Sequence, residues 1–198
     1  MSSTEFLSKN VFFTTRQYAV ATKAPVETAS RQLQRLAGEG AIENVTRGVW
    51  CQMHHPFYSR YEAVPYLLGN EHGYISFLTA LHRHGVLSQI PRAIQVATTG
   101  RGRKLTSSIG EFEFFHIQPR WMREGVIVSE GKFAYNMASP EKALLDTLYL
   151  STRKGRRFSR LPELDLEGIN VRKVKDLMSH SPPGVAKLLA KRLQWLGG

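Results

Sequence analysis

The sequence predicts an α+β fold in two parts, and three observations carry that expectation. A stretch of helical period with a basic outer face stands near the N-terminus. The apolar spacing then turns to short strand-like runs over residues 93–137. Helix-start signals return at Ser139 and Asn170.

The first stretch is Pro25–Cys51. Stepping about 100° per residue from Leu33, Val26, Ala29, Leu33, Leu36 and Ala37 fall in one apolar stripe. Thr28, Arg31 and Arg35 fall opposite it, with Gln32 along one edge. Pro25 suits a first helical position, and Gly38 and Gly40 bracket the end. The outer face therefore offers guanidinium, amide and hydroxyl groups, which reach phosphates and base edges in a major groove.

Upstream, Phe13–Thr22 reads as a shorter helix capped by Thr14 or Thr15, and Lys23–Pro25 supplies the turn. Downstream, Ile42–Val45 and Val49–Met53 flank Thr46-Arg47-Gly48 as a small hairpin. Helix, turn, helix and hairpin predict a winged helix-turn-helix over residues 1–57, with Arg47 at the wing tip. MSSTEFLSKN is too polar for a signal peptide and is expected to form a short helix over that core. Arg16, Lys23, Arg35 and Arg47 are the expected phosphate contacts, with Thr28, Arg31 and Gln32 reading bases or positioning the helix.

Residues 58–198 are expected to form an α+β domain. Pro65 lies in a possible short helix ended by Gly69, and Tyr74–His84 looks helical, with Ile75, Leu78 and Leu81 aligned and Gly85 after its end. Ala93–Thr98, Glu111–Ile117, Val126–Ser129 and Lys132–Met137 read as strands of a three- or four-stranded, mainly antiparallel sheet. The segment TGRGRKLTSS between the first two reads as a loop. Ser139 and Pro140 open a helix to Leu150, packing through Ala143, Leu144, Thr147, Leu148 and Leu150. Two closing helices are expected at Asn170–His180 and Pro183–Trp195.

The chain carries 27 basic and 16 acidic side chains, a net charge of +11. That excess favours a polyanion or an acidic partner. It is uneven: residues 1–60 carry +3, residues 61–150 +1 and residues 151–198 +7. Arg101, Arg103 and Lys104, and the cluster Arg153, Lys154, Arg156, Arg157 and Arg160, are candidate accessory contacts. A solvated loop and a solvated helix connection are the plain alternatives.

Nothing in the pattern calls for catalysis, a metal or a cofactor. TGRGRK lacks phosphate-loop spacing and no helix follows it. His82 and His84 point about 200° apart on a helix and cannot share a metal. Cys51 is the single cysteine, so no internal disulfide forms. Glu141 and Asp146 do not converge as an acid–base pair; Glu141 suits a helix first turn, and Asp146 is either buried and hydrogen-bonded or exposed. With no apolar run near 18 residues, a cytoplasmic protein off the membrane is expected.

Leu33–Trp50, Tyr74–Thr98 and Ala138–Leu150 together resemble the AbiEi antitoxin family of bacterial type IV toxin–antitoxin (abortive infection) systems. The last motif, ASPEKALLDTLYL, is the most specific, and the resemblance covers roughly residues 10–150. It implies a winged helix that binds inverted repeats upstream of its own operon and represses it, with self-association on DNA a possible consequence. It also implies a C-terminal domain that counters a nucleotidyltransferase-like toxin without a stable complex. The positions it carries over are Thr28, Arg31, Gln32, Arg35 and Arg47. The alternative is a protein-interaction module that binds an acidic partner or toxin directly, without specific DNA readout.

Overall fold

The computed structural model describes residues 1–129, 134–153, 158, 161–181, 184, 186–187 and 189–191. The architecture is α+β with two sheets. The chain divides into two compact units: Met1–Asn70 with Leu105–Glu111 and Gly131–Tyr135, and Glu71–Lys104 with Phe112–Glu130 and Asn136–Gly198.

The first unit runs α1 (Ser3–Leu7), β1 (Phe12–Thr14), α2 (Thr15–Thr22), α3 (Val26–Gly38), β2 (Glu43–Thr46) and β3 (Val49–Cys51). Strand β3 lies between β1 and β2, antiparallel to both. Phe6, Leu7, Phe13, Tyr18, Ala29, Leu33, Ile42 and Trp50 bury together. Phe6 meets Phe13 and Tyr18 edge-on, at ring-centre distances of 5.1 and 5.4 Å. The N-terminal ten residues thus do place a short helix over this core.

Two local expectations need correction. Phe13 is not helical, because β1 pairs Phe12, Phe13 and Thr14 with Cys51, Trp50 and Val49. The helix begins only after Thr14, which accepts from the Gln17 N–H while the Gln17 side chain accepts from Thr14 N–H. Second, Pro25 is the N-cap of α3 and Val26 the first helical residue. Lys23 closes α2 in the left-handed conformation, φ 56°. After a 3₁₀ turn at Arg60–Ala63, α4 (Val64–Leu68) ends at Gly69, as its spacing predicts.

The second sheet has six strands in the order β6-β7-β5-β4-β9-β8. They are β4 (Gly73–Ile75), β5 (Ala93–Thr98), β6 (Arg103–Ser107), β7 (Gly110–His116), β8 (Val126–Val128) and β9 (Asn136–Ala138). The sheet is larger than expected for two reasons. Tyr74 and Ile75 are strand residues, antiparallel to β5 on one side, with Ile75 parallel to Met137 of β9 on the other. Helix α5 therefore starts only at Phe77 and runs to Arg83. The segment read as a loop, TGRGRKLTSS, supplies β6 from Arg103.

Helix α6 (Pro140–Ser151) begins as predicted, with Ser139 Oγ accepting from Lys142 N–H and Pro140 at the first position. Its packing is not one-sided: every residue from Glu141 to Tyr149 is buried, while Leu150, expected on the packing side, is half-buried. A helix enclosed all round is a central element. Helix α7 (Val171–Ser179) is capped by Asn170, whose side chain accepts from Arg172 and Lys173 N–H. The expected strand residues Lys132 and Phe133, the basic residues Lys154, Arg156, Arg157 and Arg160, and much of the last expected helix lie outside the described residues.

Candidate functional site

Helix α3 is seated by Ala29 and Leu33, both fully buried, and by the half-buried Leu36 and Ala37. Glu27, Arg31, Gln32, Gln34 and Arg35 are exposed, and Thr28 is half-buried. Arg31 Nε lies 3.5 Å from the Glu27 carbonyl, a long contact, and its terminal nitrogens have no protein partner among the described residues. Arg35 pairs with Glu39 at 3.1 Å, but its side chain is 70% exposed, so the pair restrains it weakly. Gln32 Oε1 lies 3.4 Å from the Tyr18 hydroxyl, which ties this amide to the helix edge.

The β2–β3 hairpin turns at Gly48, φ 75°, and presents Arg47 to solvent. It is held to the start of α2: Thr15 N–H donates to the Gly48 carbonyl at 3.0 Å, and the Trp50 indole donates to Thr15 Oγ1 at 2.9 Å. Arg16 and Arg47 thus project from adjacent stretches of backbone, while Lys23 marks the turn before α3. Arg16, Lys23 and Arg47 are exposed.

Val26 corrects the periodic reading. It is 49% exposed, because the first turn of α3 extends past the core that Ala29 and Leu33 fill. Val26 adds an apolar component to the start of this helix, and Val20 on α2 is also exposed, at 74%. Helical spacing could not separate Val26 from Leu33; the position of Pro25 as N-cap was the available hint.

The other basic candidates divide. Arg103 is structural: its guanidinium reaches Glu71 at 2.7 and 3.1 Å and lies 4.1 Å from the Phe114 ring centre. Partial burial pulls the Glu71 carboxyl up, but hydrogen bonds from Arg103 and Thr98 hold it below the usual range. A Cβ at Gly100 would meet that carboxylate, so a larger residue there would make the Glu71 side chain move. Lys104 pairs with Glu113 at 2.7 Å and stays 70% exposed. Arg101 is exposed, and Arg153 lies against Tyr149.

A second polar constellation is buried in the second unit. Asp146, fully buried, accepts from four donors: Tyr74 Oη at 2.9 Å, Ser76 Oγ at 2.7 Å, Trp121 Nε1 at 2.7 Å, and Lys142 Nζ. The Lys142 ammonium also stands 4.5 Å from the Trp121 ring centre and 5.5 Å from that of Tyr74. Burial pulls the Lys142 pKa down while Asp146 opposes the fall, and burial beside Asp146 drives Tyr74 well above its usual range. Asp146 thus takes the buried, hydrogen-bonded option. Lys142 escaped sequence reading, although a Lys and an Asp four apart in an otherwise apolar helix are a legible pair.

Burial lifts the Cys51 thiol to about 12, which removes it as a nucleophile. No group of three or more His, Cys, Asp or Glu that could hold a metal occurs among the described residues. His82 and His84 instead bind backbone carbonyls, of Leu87 and Ala138 respectively, both at 2.9 Å. Among the described residues no helix is long and apolar enough to cross a membrane. No family model matches the chain, and no curated protein matches it.

Proposed function

We propose that the chain is a DNA-binding transcriptional repressor that serves as the antitoxin of a bacterial type IV toxin–antitoxin system. The observation that carries the DNA-binding part is the order α1-β1-α2-α3-β2-β3 around a sheet ordered β1-β3-β2. That order sets a short helix, a turn, a second helix and a basic-tipped hairpin in the succession of a winged helix-turn-helix. Helix α3 is then the recognition helix, entering a major groove with Thr28, Arg31 and Gln32. Val26, exposed at its start, suits apolar contact with a thymine methyl. Arg16, Lys23, Arg35 and Arg47 neutralise flanking phosphates.

The antitoxin role, and a nucleotidyltransferase-like toxin as its counterpart, rest on the resemblance of Tyr74–Thr98 and Ala138–Leu150. Acting in the cytoplasm on its own operon, the protein would bind inverted repeats as two copies.

The test is binding of the purified protein to duplex DNA from upstream of its own gene, against scrambled duplex, across a salt series. A preference of about a thousandfold or more, lost in an Arg31→Ala/Arg35→Ala variant, is expected. Arg31→Ala alone should cost roughly 1–3 kcal/mol if it reads a guanine. Equal, weak and salt-sensitive binding to both duplexes would overturn specific readout. The +7 carried by residues 151–198 supports a second reading, direct capture of an acidic partner. Co-purification of such a partner at high salt, without sequence preference on DNA, would favour it.

A further inference from the structure

A cleft of about 270 Å³ opens over the buried ion pair of α6, lined by Arg120, Trp121, Arg123, Glu124, Lys142, Leu145, Leu177 and His180. Its lining is mainly basic: Arg120, Arg123, His180 and Lys142, the last paired with the buried Asp146, stand around one lining carboxylate. That carboxylate is engaged, since Glu124 Oε2 lies 3.0 Å from His180 Nδ1. Lys142 is fixed by Asp146 and the rings of Trp121 and Tyr74, so its charge is held at the cleft floor.

The two arginines are differently placed. Arg120 spends Nε on Gln118 Oε1 at 3.0 Å, and its terminal nitrogens have no protein partner among the described residues. Arg123 is exposed and has no hydrogen bond or ion pair among the described residues. His180 Nδ1 lies 3.0 Å from the Asp176 carbonyl as well as near Glu124, which leaves Nε2 unengaged among those residues.

The wall is set by close backbone packing. At Gly125, φ 75°, a Cβ would stand 2.8 Å from Lys142 Cβ and 3.2 Å from Leu177 Cδ1. The Gly125 carbonyl also accepts from Ser139 N–H, at the start of α6, at 2.7 Å. Any side chain here would push α6 or α7 away, so the glycine keeps the cleft floor and wall in register.

We propose that this cleft binds a small phosphorylated ligand, its phosphate held by Arg120 and Arg123 over the Lys142 ammonium. A phosphate dianion has the acceptors to engage two guanidinium forks and a fixed cation together. The volume holds about nine liquid waters and falls just below the roughly 300–1,000 Å³ of common small-molecule sites. It therefore suits a phosphate bearing a sugar-sized group. The proposal is independent of DNA binding and adds an effector site to the second unit.

The experiment is titration calorimetry of the full chain with ribose 5-phosphate, inorganic phosphate and ribose, at constant ionic strength. Both phosphorylated probes should bind saturably at or below about 1 mM, and ribose should not bind. Arg120→Ala/Arg123→Ala should weaken binding by about tenfold or more with an unchanged melting temperature, since neither arginine holds an ion pair among the described residues. Absence of saturable binding at 10 mM probe would overturn the proposal, as would equal binding by the variant. A short non-specific duplex that displaces the phosphate probe would also overturn it, by reassigning these arginines to a DNA backbone. Failure of operator binding leaves this result untouched, so the two readings fail separately.

Discussion

Asp146 gathers four donors from three separated parts of the chain, and the cost of removing it follows from what it leaves behind. Asp146→Ala would strand the Lys142 ammonium in a site 2% exposed. A destabilisation on the order of 3–5 kcal/mol is expected by urea unfolding. A paired Lys142→Met/Asp146→Leu variant should cost less than the single change, because no charge then remains uncompensated. A larger cost for the pair would show that packing, not charge, dominates. Glu62 offers a second residue-level test. Its Oε2 is buried without a hydrogen bond among the described residues, and burial lifts its pKa from 4.5 to about 7. The folded chain keeps this proton to about 7 while the unfolded chain releases it near 4.5. The associated stability is fully present below about 4.5 and is lost as pH rises through about 7. Glu62→Gln should flatten that part of the dependence of melting temperature on pH; an unaltered profile would locate the titration elsewhere.

At the scale of the element, the reliable signals were punctuation. Thr14, Ser139 and Asn170 cap the helices they precede, and Gly48 and Gly85 take the positive φ that their turns require. Each is a local backbone demand that one side chain satisfies. Thr14→Ala should therefore cost about 1 kcal/mol, read by chemical unfolding. No loss would mean that pairing of β1 with β3 alone fixes the start of α2. Short strands were the unreliable elements. Phe12–Thr14 and Gly73–Ile75 are three residues each and exist through their partners. Ile75 lies at helical spacing from Leu78 and Leu81, so period alone assigned it to the wrong element. The reversal at Phe77, φ 56° in a non-glycine residue, is set by tertiary packing: its ring meets Phe115 edge-on at 4.9 Å.

For the whole molecule, each compact unit is assembled from sequence-distant segments, and no local shift of composition marks that division. Phe12 illustrates the consequence. It is 3% exposed, with ring centres of Tyr58 and Tyr66 at 5.8 and 6.1 Å. A fragment of residues 1–57 lacks both tyrosines, whereas 1–70 keeps them. The shorter fragment should be less stable by up to roughly 1.5–3 kcal/mol, the value of burying such a side chain, in thermal or urea unfolding. Equal stability would mean that Phe12 is covered by other groups.

The sequence by itself determined the α+β class, the capped starts of α6 and α7, the seating of α3 on Ala29 and Leu33, and the basic character of its outer face. These follow from period, chirality and charge within a few residues. Only the tertiary structure decided that Val26 is exposed, that Arg103 is held by Glu71, and that Lys142, paired with the buried Asp146, lines a basic cleft. Each of those depends on which distant segment arrives beside the residue, and burial, strand pairing and charge neutralisation are properties of that meeting rather than of the local chain.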